Sequence, residues 1–209
     1  MYHRLPCKFL GALSGVVLCL TGCAGWNYQD MADPSRDVWQ KPQGVVEKLS
    51  IGRGARVADL GSGTGYFTWH LAKAVGARGT VYAVDINSAS LDMIFKEMVE
   101  RGTPNVRPVH AELHNPRLPE PVDLVFSCDV YHLMNDRVTY FRTLASSLKS
   151  SGRVAILDFH PRGFLSGLFG DRIDKEVVRG EMEAAGYRLV NDYDIVASQH
   201  FQIFAKAER

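Results

Sequence analysis

Residues 57–68 read VADLGSGTGYFT, an apolar run that breaks into three glycines at alternate positions, Gly61, Gly63 and Gly65. An apolar run followed by a glycine-rich turn and then by helical spacing is the signature of a strand, a tight loop and a helix. The same alternation continues along the chain. ARVADL, GTVYAVDI, PVDLVFSCDV and RVAILDF read as strands, and NVRPVHA as a weak one. Between them lie the helical patterns GYFTWHLAKAVG, SASLDMIFKEMVERG, opened by Ser88 or Ser90 and closed at Gly102, NDRVTYFRTLASSLKSSG and IDKEVVRGEMEAAG. A short amphipathic helix, GVVEKLSI, precedes the first strand. Strands that alternate with helices predict an α/β, doubly wound and mostly parallel sheet. YRLVNDYDIV and HFQIFAKA then predict a closing hairpin, which adds an antiparallel C-terminal edge.

In such a sheet ligands bind beyond the carboxyl ends of the strands, so the first strand–helix turn is the place to look. The turn is not a P-loop, because no Gly-Lys-Ser/Thr follows. It is also a poor dinucleotide fingerprint: the third glycine comes one position early and Tyr66 stands where it is expected. Asp59, two residues before Gly61, is awkward beside a pyrophosphate, since like charges repel. It suits a cationic ligand without phosphate, and S-adenosylmethionine (SAM) carries an ammonium and a sulfonium. Asp85 ends the second strand about twenty residues on, where an acid commonly accepts hydrogen bonds from ribose hydroxyls. That placement is shared with NAD-binding proteins and by itself indicates only a nucleoside. Bland readings stand beside these: a loop-bracing carboxylate for Asp59 and a strand-end Asx turn for Asp85.

On these residues, VADLGSGTGYFTWHLAKAVGARGTVYAVDI resembles the first two motifs of class I SAM-dependent methyltransferases. VDLVFSCDVYHLMNDRVTYFRTLASSLKSSGRVAILDF is similar to their fourth and fifth strand regions. The likeness runs from about Arg36 to the C-terminus and is nearest the small-molecule, type 11-like group, which implies a Rossmann-like methyltransferase fold. It also implies that Asp59, Gly61, Gly63 and Gly65 surround the methionine part, that Asp85 and Ile86 contact ribose and adenine, and that Glu112 lies near the adenine amine. Lys149-Ser150-Ser151-Gly152 departs from the usual Lys-Pro-Gly-Gly. No Asn/Asp-Pro-Pro-Tyr follows the fourth strand, which argues against amino-group methylation of nucleic-acid bases.

Catalytic expectations rest on SCDVYHLMND. Asp129 and His132 stand at a strand's carboxyl end, and His132 is the candidate general base, because an ordinary imidazole titrates near neutrality. The competing reading is a histidine that caps or packs against the next helix. His160 is a second candidate. Tyr66, Trp69 and Tyr131 are either pocket-lining or packing aromatics, and Cys128 reads as a small buried apolar residue. No metal site is expected.

The N-terminus reads as a targeting segment. Arg4 and Lys8 precede the apolar run Phe9–Leu20, too short for a comfortable permanent span, and Leu20-Thr21-Gly22-Cys23 resembles the lipobox of bacterial lipoproteins. The expected organisation is a signal peptide at 1–22, a linker and possible lid at 23–42, and a methyltransferase domain at 43–209. The resemblance implies a mature chain acylated at Cys23 and facing the periplasm; Ala24, which follows the cysteine, favours the outer membrane. Removing residues 1–22 takes away two basic residues and no acid, turning the formal charge from +1 to −1. A near-neutral body gives no electrostatic case for nucleic acid and leaves anchoring to lipid. The expected partner is a small-molecule acceptor. The expected activity is methyl transfer from SAM; a non-catalytic ligand-binding lipoprotein of the same fold is the alternative, and an NAD-dependent oxidoreductase is disfavoured by Asp59 and the glycine spacing.

Overall fold

The computed structural model describes residues 35–161 and 172–208; the signal segment, Cys23, and the stretch with Phe164, Leu165, Leu168 and Phe169 lie outside them. Two short helices come first, α1 (Arg36–Gln40) and α2 (Pro42–Leu49). The parallel core follows: β1 (Arg56–Leu60), α3 (Tyr66–Val75), β2 (Thr80–Asp85), α4 (Ser88–Arg101), β3 (Val106–His110), β4 (Val122–Cys128), α5 (Arg137–Leu144) and β5 (Leu148–Phe159). Helix α6 (Lys175–Ala184) and the strands β6 (Tyr187–Val196) and β7 (Gln199–Lys206) close the chain.

The seven strands form one sheet in the order β3-β2-β1-β4-β5-β7-β6. β1 to β5 are parallel, and β7 runs antiparallel between β5 and β6. This is the expected α/β, doubly wound sheet with an antiparallel C-terminal edge. The strand order reverses between β1 and β4, so the cleft opens at their carboxyl ends. Strand alternation sorts the side chains. Val57, Leu124, Phe126, Ala155 and Leu157 pack with Phe67, Leu71 and Val75 of α3 and with Val45 and Leu49 of α2. Ala58, Leu60, Val125 and Ile156 face the other way, onto Tyr140, Phe141 and Leu144 of α5 and Val178 and Met182 of α6. Pro108 sits in β3, at the sheet edge, where a missing N–H costs no ladder bond.

Two local expectations are corrected. The helix expected to run into Lys149 ends at Leu144, and the strand begins at Leu148, five residues early. Leu148 pairs with Val122, and Lys149 Nζ lies 2.7 Å from Asp123 Oδ2, so the sheet takes these residues from the helix. Helix α4 is capped by Asn87, not by Ser88 or Ser90: its side-chain oxygen accepts from the N–H groups of Ala89 and Ser90.

Candidate cofactor and acceptor site

The loop after β1 turns back through three left-handed glycines, with φ of 73° at Gly61, 52° at Gly63 and 91° at Gly65. A Cβ at Gly61 would lie 2.2 Å from Val130 Cγ2, so this position admits no side chain. The loop amides are turned inward. Gly61 and Ser62 donate to the Val84 carbonyl at 2.8 and 3.1 Å, Gly65 donates to the Ser62 carbonyl at 2.9 Å, and Gly63 donates to Asp85 Oδ2 at 2.8 Å. A phosphate cradle needs such N–H groups pointed at the ligand; these four are bonded to protein.

Two carboxylates flank the loop. Asp59 lies on the β1 face that packs on α3, only 3% exposed, and its Oδ2 accepts from Thr68 Oγ1 at 2.6 Å. Burial pushes its carboxyl up to about 7; Thr68 and Arg36 pull it down and Asp85 pushes it up further. Asp85, at the end of β2, receives Gly63 N–H on Oδ2 and Asn87 N–H on Oδ1 at 2.9 Å. It therefore braces the loop in addition to any role toward a ligand. Ile86 follows with 56% of its surface exposed. Glu112 is placed beside them because Ala111 N–H donates to the Asp85 carbonyl at 2.9 Å; its carboxylate pairs with Arg117 at 3.2 Å. The seven expected cofactor residues thus come from the ends of three neighbouring strands, β1, β2 and β3.

The end of β4 carries the second half of the site. Asp129 takes a left-handed φ of 59° and is boxed in. Arg36 stands 3.6 Å from its Oδ2, Gln40 Nε2 donates to Oδ2 at 3.3 Å, and Gln199 Nε2 donates to Oδ1. Burial, reinforced by Asp158, raises its carboxyl to about 6 against the pull of Arg36. Gln40 also donates to Cys128 Sγ at 3.2 Å, and burial together with the Asp129 carboxylate pushes that thiol up. Helix α1 thus covers the end of β4, with Arg36 4.1 Å over the Tyr66 ring, whose hydroxyl donates to Asp37 at 2.6 Å.

His132 sits in a 3-10 turn, Tyr131–Leu133. Its Nδ1 is 2.6 Å from Asp158 Oδ1, and its backbone N–H donates to Asp158 Oδ2 at 3.1 Å. Tyr131 points the other way, into the core: it stacks on Phe141 at 5.2 Å and donates its hydroxyl to Glu181. It is a packing residue. Trp69 stands under Arg101 at 4.9 Å and lines a groove of about 900 Å³ between α2, α3 and α4, on the helical layer. His160 follows β5 directly, with its ring 5.6 Å from that of His200. Sequence reasoning missed Asp158, Gln40 and Gln199. Asp158 comes one residue before the end of its strand, much as Asp85 ends β2, which is the one sequence signal it carries.

Against known proteins, residues 57–152 match the family model described as a methyltransferase domain. The chain carries a SAM-dependent methyltransferase domain. It is 30% identical over 155 residues to the ubiquinone/menaquinone biosynthesis C-methyltransferase UbiE of Azotobacter vinelandii, a match spanning 72% of this chain and 59% of that protein. The UbiE of Idiomarina loihiensis is 33% identical over 117 residues, 55% of this chain and 47% of its own. The chain thus spans about half the length of these relatives. In structure it resembles a SAM-dependent methyltransferase from Aquifex aeolicus, with a TM-score of 0.76 at 23% identity, covering 85% of this chain and 95% of that one. The cofactor of such a domain is SAM, and the residues present fit it. Asp59 is a buried carboxylate that a cation would keep ionised, Ser62 Oγ in the loop is buried without a partner, and the loop offers no phosphate cradle. Among the described residues no cluster of His, Cys, Asp or Glu is able to hold a metal ion, and no helix is long and apolar enough to cross a membrane.

Proposed function

We propose that this chain transfers the methyl group of SAM to a small, quinone-like aromatic acceptor, as a lipoprotein held to the bacterial envelope through Cys23, in the outer membrane and facing the periplasm. One observation carries the cofactor part: two carboxylates, Asp59 and Asp85, flank a glycine loop whose amides are already bonded inward. Asp59 answers the ammonium, the glycines allow the backbone to approach the methionine part, Asp85 meets the ribose, and Ile86 and Glu112 meet the adenine. Bound there, SAM supplies an electrophilic methyl carbon. The protein's own work is to orient the acceptor and take its proton, and we assign the second task to His132; its position just beyond the carboxyl end of β4 and its contact with Asp158 support that reading. The quinone-like acceptor is argued from the activity in the relatives' names. The anchor is argued from the sequence around Cys23.

Titration of the full chain and its variants with SAM and with adenosine tests the cofactor placement. Each hydrogen bond to a charged group contributes about 1.5–3 kcal/mol, so Asp85→Ala should weaken both ligands at least roughly tenfold. Asp59→Ala should weaken SAM and leave adenosine nearly unchanged. If both ligands respond alike to both substitutions, the placement along the loop is wrong. Labelling with a fatty-acid analogue should mark wild type and not Cys23→Ala; equal labelling would remove the anchor.

A further inference from the structure

The Asp158–His132 pair constrains what the acceptor is. Asp158 is fully buried, and the His132 side chain keeps 5% of its surface exposed. Three nitrogens converge on the carboxylate: His132 Nδ1 at 2.6 Å and the Phe159 N–H at 2.7 Å on Oδ1, and the His132 backbone N–H at 3.1 Å on Oδ2. An ionised carboxylate only accepts hydrogen bonds. It therefore places the ring proton on Nδ1 and leaves the lone pair on Nε2. His200 stands opposite Asp158 on β7, and burial, outweighing the pull of Asp158, favours its neutral form, so it adds little charge there. Tying the turn to β5 would need only the backbone N–H. A buried carboxylate is costly unless its charge is used, and here the second oxygen fixes the ring.

We infer that Asp158 is a positioning residue that holds His132 in the Nδ1–H tautomer, and that the acceptor is a hydroxylated aromatic or enol which gives its proton to His132 Nε2. This rests on the methyl-transfer reading above. An acceptor whose lone pair is free at neutral pH, such as a thioether or a pyridine-type nitrogen, has no proton to give and no use for the pair. In the step, the acceptor O–H proton passes to Nε2, and the imidazolium charge is balanced by Asp158. The new bond to the methyl carbon forms from the oxygen, or from the adjacent ring carbon, whose own proton then returns to the oxygen. The methyl–sulfur bond breaks with its electron pair kept on sulfur, and the proton on Nε2 leaves to solvent.

Two measurements on the full chain in detergent test this. Nitrogen NMR of ¹⁵N-histidine protein, with His132 assigned by loss of its signals in His132→Gln, should show a neutral ring protonated at Nδ1. Asp158→Asn should move population to the Nε2–H form. An Nε2–H ring in wild type, or no change in Asp158→Asn, overturns the role of Asp158 whatever the turnover. The second measurement follows turnover of phenols and dihydroxy-aromatics of graded acidity. General-base loss typically costs about 10²–10⁴-fold, so His132→Gln should lose that on the least acidic probe and little on one already ionised at the assay pH. Asp158→Asn should follow the same trend in kcat, with the KM for SAM unchanged. A loss equal across the panel, or wild-type methylation of amine or thiol probes alone, overturns the acceptor class. If SAM fails to bind while the tautomer is as stated, the methyl-transfer reading fails separately.

Discussion

Asp59 combines a structural cost with a binding role. Its carboxyl is raised from the ordinary 3.8 to about 7, chiefly by burial. A group whose folded pKa is raised holds its proton more tightly in the folded chain, so its contribution to stability is complete below about pH 4. That contribution declines as pH rises to about 7 and is flat above. Asp59→Asn should remove this decline, and the variant should be more stable than wild type at pH 8 by chemical denaturation while binding SAM more weakly. A variant less stable than wild type at pH 8 would show that the ionised carboxylate is not a burden. A cation bound at Asp59 needs the carboxylate ionised. SAM binding at pH 6 should therefore release a proton from this group, readable as a dependence of the calorimetric heat on buffer ionisation enthalpy that Asp59→Asn diminishes.

Among the elements, α1 does more than its five residues suggest. Gln40 is fully buried and its amide reaches Cys128, Asp129 and Gln199 at once, at 3.2, 3.3 and 3.0 Å. Trp39 stacks on Phe159 at 6.0 Å. We propose that this segment works as a lid. Removing Arg36 and Gln40 contacts leaves Asp129 and Gln199 short of partners, which costs about 1–3 kcal/mol per orphaned group, part of it recovered if water enters. The double variant Arg36→Ala, Gln40→Ala should therefore alkylate faster at Cys128, mapped by mass spectrometry, while keeping its circular dichroism. Unchanged labelling would return α1 to a fixed structural role. The turn carrying His132 is held from the opposite side. Arg137 grips Glu181 through two bonds of 2.7 and 2.8 Å, and Tyr131 donates to the same carboxylate at 2.8 Å. Burial alone would raise Glu181, but these donors outweigh it and hold its carboxyl below the ordinary 4.5.

For the whole molecule, the site is distributed over elements far apart in the chain and near in the sheet. A ligand that binds only the folded form stabilises it by RT ln(1 + [L]/Kd), about 2.7 kcal/mol at a hundredfold excess over Kd. For a domain of this size roughly 2–4 °C accompany each kcal/mol, so saturating SAM should raise Tm by about 5–10 °C. NAD at the same concentration should leave it unchanged, since the inward-turned loop has no place for pyrophosphate. A rise with NAD equal to that with SAM would refute the ligand assignment.

The alternation of strands and helices, the glycine loop, and the acids that follow strands are local patterns. The order of elements and the positions of Asp59, Gly61, Gly63, Gly65 and Asp85 at strand ends were therefore readable from the sequence alone. So was the antiparallel closing pair, because a short turn joins it. What the sequence left open depends on partners distant along the chain. Whether α5 continued through Lys149 was decided by Val122 and Asp123, which draw Leu148 and Lys149 into the sheet. His132 has no neighbour in sequence that marks it as a base; Asp158 lies 26 residues away, and only the parallel pairing of β4 with β5 brings the two together. Gln40 and Gln199, separated by 159 residues, close over Asp129 because α1 covers the end of β4 and β7 pairs antiparallel with β5. Periodicity records which face of an element is buried. Which polar side chains meet is set by strand order, which tertiary packing alone decides.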